Sequence, residues 1–325
     1  MSTTIHETMH AAAINRFGGV DTLKMQTLPV PKVAPDEILI RVESAGVGAW
    51  DPYEREGEFA KLFGTKPEFP YVLGTEGAGT VAAVGDRVKR FKEGDRVYAV
   101  RPVENPKGGF YAEYAEVKAD YAAHVPDKLS TEQAGVVLAD AVTGLRGLED
   151  ILGVKRGESV MIFGASGGIG HMAVQLAKHM GARVFAVASG EDGTMLAKRL
   201  GADVAVDGHK EDVAAAARKF APNGVDAALV TAGGDAAEKA LTAVRDGGRV
   251  AHPNGVEPVP KARPGVKVIA FDGDPDREAI EKLNRLIEAG PFEAHVARTF
   301  SLAQAGEAHR ALDRHYLGKL ALRPN

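Results

Sequence analysis

A glycine-rich stretch in the middle of the chain has the residue types and spacing that bind a phosphate group. It follows the apolar run Ser159–Phe163 and opens a segment with the apolar spacing of a helix. Glycines there let the backbone turn sharply and approach a pyrophosphate, which the N–H groups at the helix start then hold. The stretch predicts a dinucleotide site, although a tight turn in an unrelated α/β protein would also use glycines. Its residues are Gly164, Ala165, Ser166, Gly167, Gly168, Ile169 and Gly170.

The same stretch also fits G-x-S-x-G, the turn that carries the nucleophile of α/β-hydrolases. Ser166 would be that nucleophile, with Asp226 and His252 as its partners. Against this, Gly170 has no role in such a turn, and that fold does not usually begin with a β-rich segment of about 160 residues. We therefore expect Ser166 to contact phosphate, and a hydrolase is the remote alternative.

The end of the second predicted strand indicates which dinucleotide is bound. Sites for NAD place Asp or Glu there, about 20 residues past the glycines, to bind the ribose 2′-hydroxyl. This chain has Ser189 and Gly190 instead, so a 2′-phosphate would meet no carboxylate at this position. Glu191 and Asp192 follow directly. On balance the pattern favours NADPH.

The elements that position these residues alternate between strand and helix. From about Ser130, strands are predicted at 159–163, 183–188, 204–206, 226–230, 248–251 and 266–271, with helices over 169–180, 194–200, 211–220 and 236–245. Such alternation is typical of βαβ units around a parallel sheet. The first part of the chain is β-rich, with runs at 37–42, 79–85 and 95–100 bounded by turn-forming residues. The fold class is therefore α/β with a separate β-rich domain.

Length and composition fit a globular protein of two domains. The chain has 325 residues, 45% hydrophobic and 26% charged. A net charge of −4 and a pI near 6.2 do not suggest nucleic-acid binding, and no apolar run approaches the roughly 20 residues that span a bilayer. The segment Met1 to His10 lacks the apolar core of a secretory signal. We expect a cytoplasmic protein with no membrane or nucleic-acid partner.

Cysteine is absent from the sequence, which excludes disulfides, a cysteine nucleophile and thiolate ligands for a metal. The ten histidines include no HExxH pattern or similar pair on one helix. We therefore expect no metal site.

Several segments together resemble the medium-chain dehydrogenase/reductase superfamily, specifically its zinc-free quinone oxidoreductase branch, over nearly the whole chain. The resemblance implies a GroES-like substrate domain formed by residues 1–125 and completed by about 290–325. It also implies a Rossmann NADPH-binding domain with a doubly wound parallel sheet at 126–289, and an active site in the cleft between the two. The matching segments are 46–51, 74–79, 91–97, the region of Thr143, the glycine turn and 200–203.

The departures from the zinc alcohol dehydrogenases of this superfamily indicate the chemistry. Where those enzymes have a Cys and a His ligand, this chain has Gly48 and Thr75, and the third ligand would fall near Ala139 or Asp140. A tetrahedral zinc site cannot be built without these ligands. Without a Lewis acid an unactivated ketone is a difficult substrate. The resemblance thus implies hydride transfer from NADPH to a quinone or an α,β-unsaturated carbonyl.

The resemblance also points to catalytic candidates. Of the family pattern N-x-x-D-x-x-x-R-x-G, the chain keeps Asp51, Arg55 and Gly57, while Gly48 replaces Asn. Tyr53 is our candidate donor to the substrate oxygen, and a surface or packing role is equally compatible with this residue. Asp51 and Arg55 would alternatively form a structural ion pair.

Further candidates come from the cofactor side of the family pattern. Thr143 matches a threonine beside the nicotinamide, and the lysine that usually contacts the 2′-phosphate corresponds to Gly193. The basic residues nearest in sequence are Lys198, Arg199 and Lys210, each of which also fits a solvated helix charge.

Two later loops follow predicted strands and are expected to close the cofactor pocket, since ligands bind at the carboxyl ends of the strands. One contains Thr231, Ala232 and Gly233, and the other contains His252 and Asn254. His252 would either reach the nicotinamide or be structural.

The run Val266–Phe271 is expected at the edge of the sheet. An apolar edge favours pairing with another subunit, and members of the family dimerise this way, so a homodimer is predicted. A second function from another class also fits the sequence: a cofactor-binding sensor or scaffold of the same fold that does not catalyse.

Overall fold

The computed structural model describes residues 5–105 and 107–324. The chain divides into two compact units: unit 1 comprises Met1–Ala139, Pro275–Asn284 and Val296–Asn325, and unit 2 comprises Asp140–Asp274 and Arg285–His295. The first four residues of the segment Met1–His10 lie outside the described part. Within the described ranges, no helix has the length and apolar character that a membrane crossing requires.

Unit 1 is mainly β structure, as its alternating runs predict. A three-stranded sheet has the order β2-β1-β4, and a seven-stranded sheet has the order β15-β16-β3-β5-β6-β8, with β7 also paired to β3. The strands are β1 (Thr8–Ile14), β2 (Lys24–Pro29), β3 (Glu37–Val47), β4 (Tyr71–Val72), β5 (Glu76–Val84), β6 (Arg96–Val100), β7 (Tyr114–Lys118), β8 (Ala122–His124), β15 (Val296–Ser301) and β16 (Lys319–Arg323). The helices of unit 1 are α1 (Asp51–Glu56), α2 (Glu58–Phe63), α3 (Thr131–Ala134) and α10 (Ala305–Ala311).

The two ends of the chain share the core of unit 1. Strand β16 pairs antiparallel with β3, with Leu320 opposite Val47 and Leu322 opposite Ala45. Leu322 and Ile38 belong to the same buried apolar cluster, so removing either end would expose the other. The C-terminal segment thereby completes the β-rich unit.

Unit 2 contains one parallel sheet of six strands in the order β11-β10-β9-β12-β13-β14. The chain runs outward from β9 on one side and from β12 on the other, so the order reverses between these two strands. Ligands bind at the carboxyl ends of strands at such a reversal. The strands are β9 (Ser159–Phe163), β10 (Arg183–Ala188), β11 (Val204–Asp207), β12 (Val225–Val230), β13 (Val244–Pro253) and β14 (Lys267–Phe271).

The helices between these strands mostly follow the predicted periodicity. One prediction is wrong: the segment 236–245 is not a single helix, because the helix ends at Leu241 and β13 already begins at Val244, where it pairs with Val225. The remaining helices are α4 (Leu138–Arg146), α5 (Gly168–His179), α6 (Gly190–Arg199), α7 (Val213–Phe220), α8 (Asp235–Leu241) and α9 (Arg277–Ala289). The division between the units falls within α4 and α9.

Candidate functional site

The glycine turn of unit 2 lies at the carboxyl end of β9, whose five residues are all buried. Gly164 has a φ of +86°, which favours glycine. Its N–H and that of Ala165 donate to the carbonyl of Val187, at 3.0 and 2.9 Å, which ties the turn to β10. Helix α5 starts at Gly168 without a side-chain cap. The first-turn N–H groups of a helix have no partner within it, so those of α5 can donate to an anion.

Gly170 packs directly on the start of the turn. A Cβ at this residue would overlap the carbonyl oxygen of Gly164, with the carbonyl carbon at 2.7 Å and the Cα of Ala165 at 2.8 Å. All of these are backbone atoms, so they cannot rotate away as a side chain could. The absence of a side chain at Gly170 therefore allows α5 to pack closely against the start of the glycine turn.

Gly170→Ala should lower stability by about 2 kcal/mol or more, since overpacking typically costs about 1–3 kcal/mol and backbone cannot yield cheaply. Gly167→Ala is the matched control, because its nearest neighbour would be 3.5 Å away. Denaturant unfolding of both variants measures the difference. Equal loss in the two would show that close packing at Gly170 is not the reason for glycine there.

Ser166 is buried, and its Oγ accepts a hydrogen bond from the backbone N–H of Ser189 at 3.3 Å. A hydrolase triad is not assembled. Asp226 accepts instead from the N–H and hydroxyl of Ser159, at 2.8 and 2.7 Å, and from Arg245 at 2.7 Å. Ser159 begins β9 and Ser166 follows its end, so Asp226 lies at the opposite end of the strand. The hydrolase alternative is therefore wrong.

The other predicted cofactor residues follow neighbouring strands at the same edge of this sheet. Ser189 and Gly190 come after β10, and Thr231, Ala232 and Gly233 come after β12. The Thr231 hydroxyl donates to the carbonyl of Phe163 at 2.9 Å, which joins this loop to the glycine turn.

The loop at the end of β13 holds the last two predicted cofactor residues. His252 is buried, and its Nδ1 lies 3.1 Å from the carbonyl of Pro253; because a carbonyl only accepts, Nδ1 carries the proton. Asn254 donates its side-chain amide to Asp272 at 2.8 Å. His252 thus has a structural hydrogen bond, and the side chain of Asn254 is engaged with the segment after β14.

Thr143 lies in α4, where it is half-buried. The residue facing it is Gly273, at which any Cβ would collide with the Thr143 hydroxyl and lie 2.7 Å from its Cβ. The glycine at position 273 therefore leaves room for the Thr143 side chain.

In unit 1, the Trp50 indole lies against Gly48 and Thr75, the two positions that correspond to zinc ligands in the alcohol dehydrogenases. A Cβ at Gly48 would lie 2.5 Å from the Cε2 and Cζ2 atoms of Trp50. The Trp50 Nε1 donates to the Thr75 hydroxyl at 3.0 Å. On the same ring, the Lys319 ammonium stands 4.6 Å from the centroid and 2.9 Å from Glu76 Oε1. This set of residues does not fit a catalytic zinc.

Neither described range contains a group of three or more His, Cys, Asp or Glu side chains placed to hold a metal ion. In unit 1, the volume beside Gly48 and Thr75 has other occupants. The space is taken by an aromatic ring and a buried ion pair, in which Lys319 and Glu76 are 2% and 1% exposed. A cation would have to displace both before it could bind.

Asp51 does not pair with Arg55, so that alternative is wrong. The wholly buried Asp51 carboxylate accepts at Oδ2 from the Gly48 N–H at 2.8 Å and from the Tyr111 hydroxyl at 2.7 Å. Arg55 instead donates to the Gly18 carbonyl at 3.0 Å, to Glu56 and to His309. The four-residue spacing suggested a local pair, but α1 directs the two side chains to different partners.

These contacts form a hydrogen-bond chain with a fixed direction. Arginine only donates, so the 2.9 Å contact from Arg55 makes His309 Nδ1 an acceptor. The proton of the neutral ring is then on Nε2, which lies 3.2 Å from the Tyr111 oxygen, and Tyr111 donates to Asp51. Burial and the Arg55 charge lower the pKa of His309 to about 3, which keeps the ring neutral.

Burial raises the pKa of Asp51 to about 7, and the nearby Glu54 carboxylate adds to the rise. The hydrogen bonds from Tyr111 and Gly48 and the Lys319 charge oppose it. The carboxyl group of Asp51 therefore changes its charge near neutral pH at the N-terminus of α1, two residues before Tyr53.

Tyr53 is the most accessible of the predicted site residues in unit 1, with 48% of its surface exposed. Its ring stacks on Phe59, with centroids 6.5 Å apart and an interplanar angle of 18°. Its hydroxyl makes no hydrogen bond to the residues at 5–105 and 107–324. The tyrosine is thus held by packing while its hydroxyl stays available to a ligand.

Sequence reasoning missed Trp50, Tyr111 and His309 as parts of this region. Trp50 is the sole tryptophan of the chain and sits in a segment already matched to the family, which was an available signal. The Arg55–His309 contact joins residues 254 apart, and no local pattern indicates it.

Comparisons with known proteins agree with both units. Family models match the chain over residues 34–127, described as the alcohol dehydrogenase GroES-like domain, and over 168–252, described as zinc-binding dehydrogenase. An NADPH-dependent alkenal/one oxidoreductase of Arabidopsis thaliana, named as chloroplastic, is 32% identical over 333 residues, covering 99% of this chain and 81% of the relative. A quinone oxidoreductase of Homo sapiens is 32% identical over 247 residues, covering 74% and 72%.

Solved structures give the same result. A mycobacterial protein in complex with NADPH superimposes with a TM-score of 0.82 at 29% identity, covering 97% of this chain and 100% of that chain. The chain therefore belongs to the medium-chain dehydrogenase/reductase superfamily, in its zinc-free quinone oxidoreductase branch. The predicted fold class, a GroES-like domain with a Rossmann domain, is confirmed. The protein is an oxidoreductase with the fold of nicotinamide-dependent enzymes.

Proposed function

We propose that the protein transfers hydride from NADPH to a quinone or an α,β-unsaturated carbonyl and that it needs no zinc. The observation that carries the proposal is the Trp50 indole, which lies against Gly48 and donates a hydrogen bond to Thr75, the two positions that correspond to metal ligands. Without a Lewis acid, a conjugated acceptor is the suitable substrate, because the charge that arrives with the hydride spreads onto oxygen.

Bound NADPH would supply the hydride, and the residues of this chain would hold and orient the reactants. The N–H groups of the glycine turn would bind the pyrophosphate, and Thr143 would lie beside the nicotinamide. Tyr53 would donate a hydrogen bond to the substrate oxygen as negative charge develops there. The free hydroxyl of Tyr53 supports this role.

The test is to mix purified protein with NADPH and a panel of quinones and enals and to follow the loss of reduced-nicotinamide absorbance. We expect turnover with members of the panel, less than stoichiometric zinc by elemental analysis, and no effect of a chelator. Binding of NADPH without turnover of any acceptor would instead support a cofactor-binding sensor or scaffold. Stoichiometric zinc in active protein would contradict metal independence.

Tyr53→Phe should lower kcat at least tenfold, which corresponds to a loss of about 1.4 kcal/mol in transition-state stabilisation. The ring stacking on Phe59 is kept, so binding of NADPH and the unfolding temperature should not change. Steady-state kinetics with a fixed enal checks this, with Tyr121→Phe as a tyrosine of the same unit outside the site. Undiminished turnover would remove Tyr53 from the mechanism.

We also propose a cytoplasmic homodimer. Strand β14 ends the sheet of unit 2 and pairs in the described residues with β13 alone, so its other edge is free for the same strand of a second copy. The cysteine-free chain needs no oxidising compartment. Light scattering should give about twice the monomer mass of 34.2 kDa, and a mass of one chain would refute the dimer.

A further inference from the structure

Two places in unit 2 carry the same pattern of proline, asparagine, glycine, valine and an acidic residue. One runs over residues 222–226 and the other over 253–257. Asparagine is among the heat-labile residues of proteins, and a following glycine favours the reaction because a residue without a Cβ lets its backbone nitrogen approach the preceding side chain. Since the two local sequences match, a difference in lability between Asn223 and Asn254 must come from the structure.

The reaction at such a pair joins the glycine nitrogen to the asparagine side chain. The nitrogen forms a bond to Cγ, the bond from Cγ to Nδ2 breaks, and Nδ2 leaves as ammonia together with the proton of the glycine N–H. Water then opens the cyclic imide at either carbonyl and gives an aspartate or an isoaspartate. The reaction therefore requires a glycine nitrogen that is not held in a hydrogen bond and a backbone with room to move.

The structure opposes this reaction at Asn223. Although Asn223 is exposed, the N–H of Gly224 donates to the carbonyl of Ala221 at 2.8 Å. A Cβ at Gly224 would lie 2.8 Å from the oxygen of Ala243 and from the nitrogen of Arg245, both of them backbone atoms. The nitrogen that must attack is thus bonded, and its backbone is packed against the start of β13.

The structure leaves the pair at Asn254 open. Asn254 and Gly255 are exposed in a turn in which the Val256 N–H donates to the Pro253 carbonyl at 3.3 Å, and Gly255 has a φ of +88°. In the part of the chain that the structure describes, the Gly255 N–H has no acceptor, and a Cβ built on Gly255 would have no neighbour within 4 Å. The attacking nitrogen is therefore unbonded, and the turn has space to move.

One contact opposes the reaction at Asn254: its side-chain amide donates to Asp272 at 2.8 Å. Both side chains are exposed, so water competes for this hydrogen bond. A single hydrogen bond of this kind slows the reaction by about tenfold or less. At Gly224 a backbone hydrogen bond and packed backbone must both give way, so Asn254 is the more reactive residue.

The product would disturb the loop after β13. The Asn254 N–H also donates to the Phe271 carbonyl at 2.8 Å, so a backbone and a side-chain hydrogen bond tie this loop to the end of β14. Deamidation replaces the side-chain donor with a carboxylate that faces Asp272, and like charges repel. Asp272 precedes Gly273, which lies against Thr143. The repulsion therefore acts next to the residue proposed to lie beside the nicotinamide.

We propose that Asn254 is a site of spontaneous deamidation in the folded protein, that Asn223 is protected, and that the product weakens the binding of NADPH. Only the effect on NADPH rests on the proposed function. The modification itself follows from the unbonded nitrogen of Gly255 and the bonded nitrogen of Gly224.

The test is to hold the purified protein at mildly alkaline pH and body temperature and to follow the mass gain of amide-to-carboxyl conversion in peptides that contain Asn223 or Asn254. In the folded protein, conversion at Asn254 should be faster by about tenfold or more, the factor that one net hydrogen bond provides. In protein unfolded by guanidinium the two rates should be nearly equal, because the local sequences match. Equal rates in the folded protein, or no conversion at Asn254 while the unfolded protein converts, would overturn the assignment.

The effect on the cofactor is measured separately with Asn254→Asp, which carries the side chain of the product from the start. This variant should bind NADPH about tenfold more weakly in calorimetric titration, since a hydrogen bond is exchanged for a repulsion. Adding Asp272→Ala should recover most of the affinity, and the matched control Asn223→Asp should leave it unchanged.

Unchanged affinity in Asn254→Asp would overturn the effect on NADPH. Absence of NADPH binding by the parent protein would refute the proposed function, and the mass measurement would still decide whether Asn254 is modified.

Discussion

Replacing Asp51 with Asn should stabilise the protein relative to its parent by progressively more as the pH rises from 5 to 8. Asp51 is wholly buried, and burial raises its pKa from 3.8 to about 7. The folded protein therefore binds this proton more tightly than the unfolded chain. The resulting stability is full below pH 3.8 and is lost as the pH rises through about 7.

The size of the effect follows from the two pKa values of Asp51. Each pKa unit corresponds to about 1.4 kcal/mol, so the full titration is worth about 4 kcal/mol, of which about 3 kcal/mol falls between pH 5 and pH 8. Asn cannot titrate, yet its oxygen can still accept from Gly48 and Tyr111. The difference in unfolding free energy between variant and parent should therefore shift toward the variant by about 3 kcal/mol.

Denaturant unfolding of both proteins at pH 5, 6, 7 and 8 measures this shift. The control is Asp86→Asn, which removes an exposed carboxylate of the same unit. A constant difference between Asp51→Asn and its parent would show that the carboxyl group is ionised throughout. The charged or ionisable groups that act on Asp51 are Glu54, Tyr111 and Lys319.

Arg101→Met should destabilise the protein by about 3–5 kcal/mol, the usual result of breaking a buried ion pair from one side. Arg101 is 1% exposed; it donates to the Glu54 carboxylate and to the Asn105 carbonyl, and the Tyr71 hydroxyl also donates to Glu54. Without the guanidinium, the buried Glu54 carboxylate keeps one neutral donor, the Tyr71 hydroxyl. One neutral hydrogen bond does not compensate for the hydration that the carboxylate has in the unfolded chain.

The double variant Arg101→Met, Glu54→Gln should recover most of that loss, because no buried charge is then left uncompensated. Denaturant midpoints for both single variants and the double variant complete the cycle. The comparison pair is Lys61 and Glu58, exposed and 2.6 Å apart, whose removal should cost less than about 1 kcal/mol. Additive losses at Arg101 and Glu54 would mean that the two charges do not stabilise one another.

Local backbone constraints made the glycine turn the most predictable part of the candidate site. Gly164 has a positive φ, and Gly170 cannot carry a Cβ because Gly164 and Ala165, only a few residues earlier in the chain, lie against it. The strands of unit 2 were predictable for the same reason, since buried parallel strands are continuous apolar runs. The prediction of a single helix over 236–245 was wrong. Helical periodicity does not show that Val244 pairs with Val225 in the sheet.

The region around Asp51 could not be predicted in the same way. A spacing of four residues suggested an ion pair between Asp51 and Arg55. Instead, Asp51 binds Tyr111 on a distant loop, and Arg55 binds His309 on a distant helix. The 3.2 Å contact between Ser189 and His209, which follow β10 and β11, depends on which strands are neighbours and on their register. Such contacts follow from the tertiary structure and leave no periodic trace in the sequence.

The indole at position 50 also restricts how this sequence can evolve. A Cys that arose at Gly48 would collide with the ring 2.5 Å away, and a His at Thr75 would remove the hydroxyl that the ring binds. Loss of Trp50 before either change would leave its volume unfilled beneath the Lys319 ammonium. Each of these three single changes should therefore lower stability, because each disturbs a contact of the Trp50 ring.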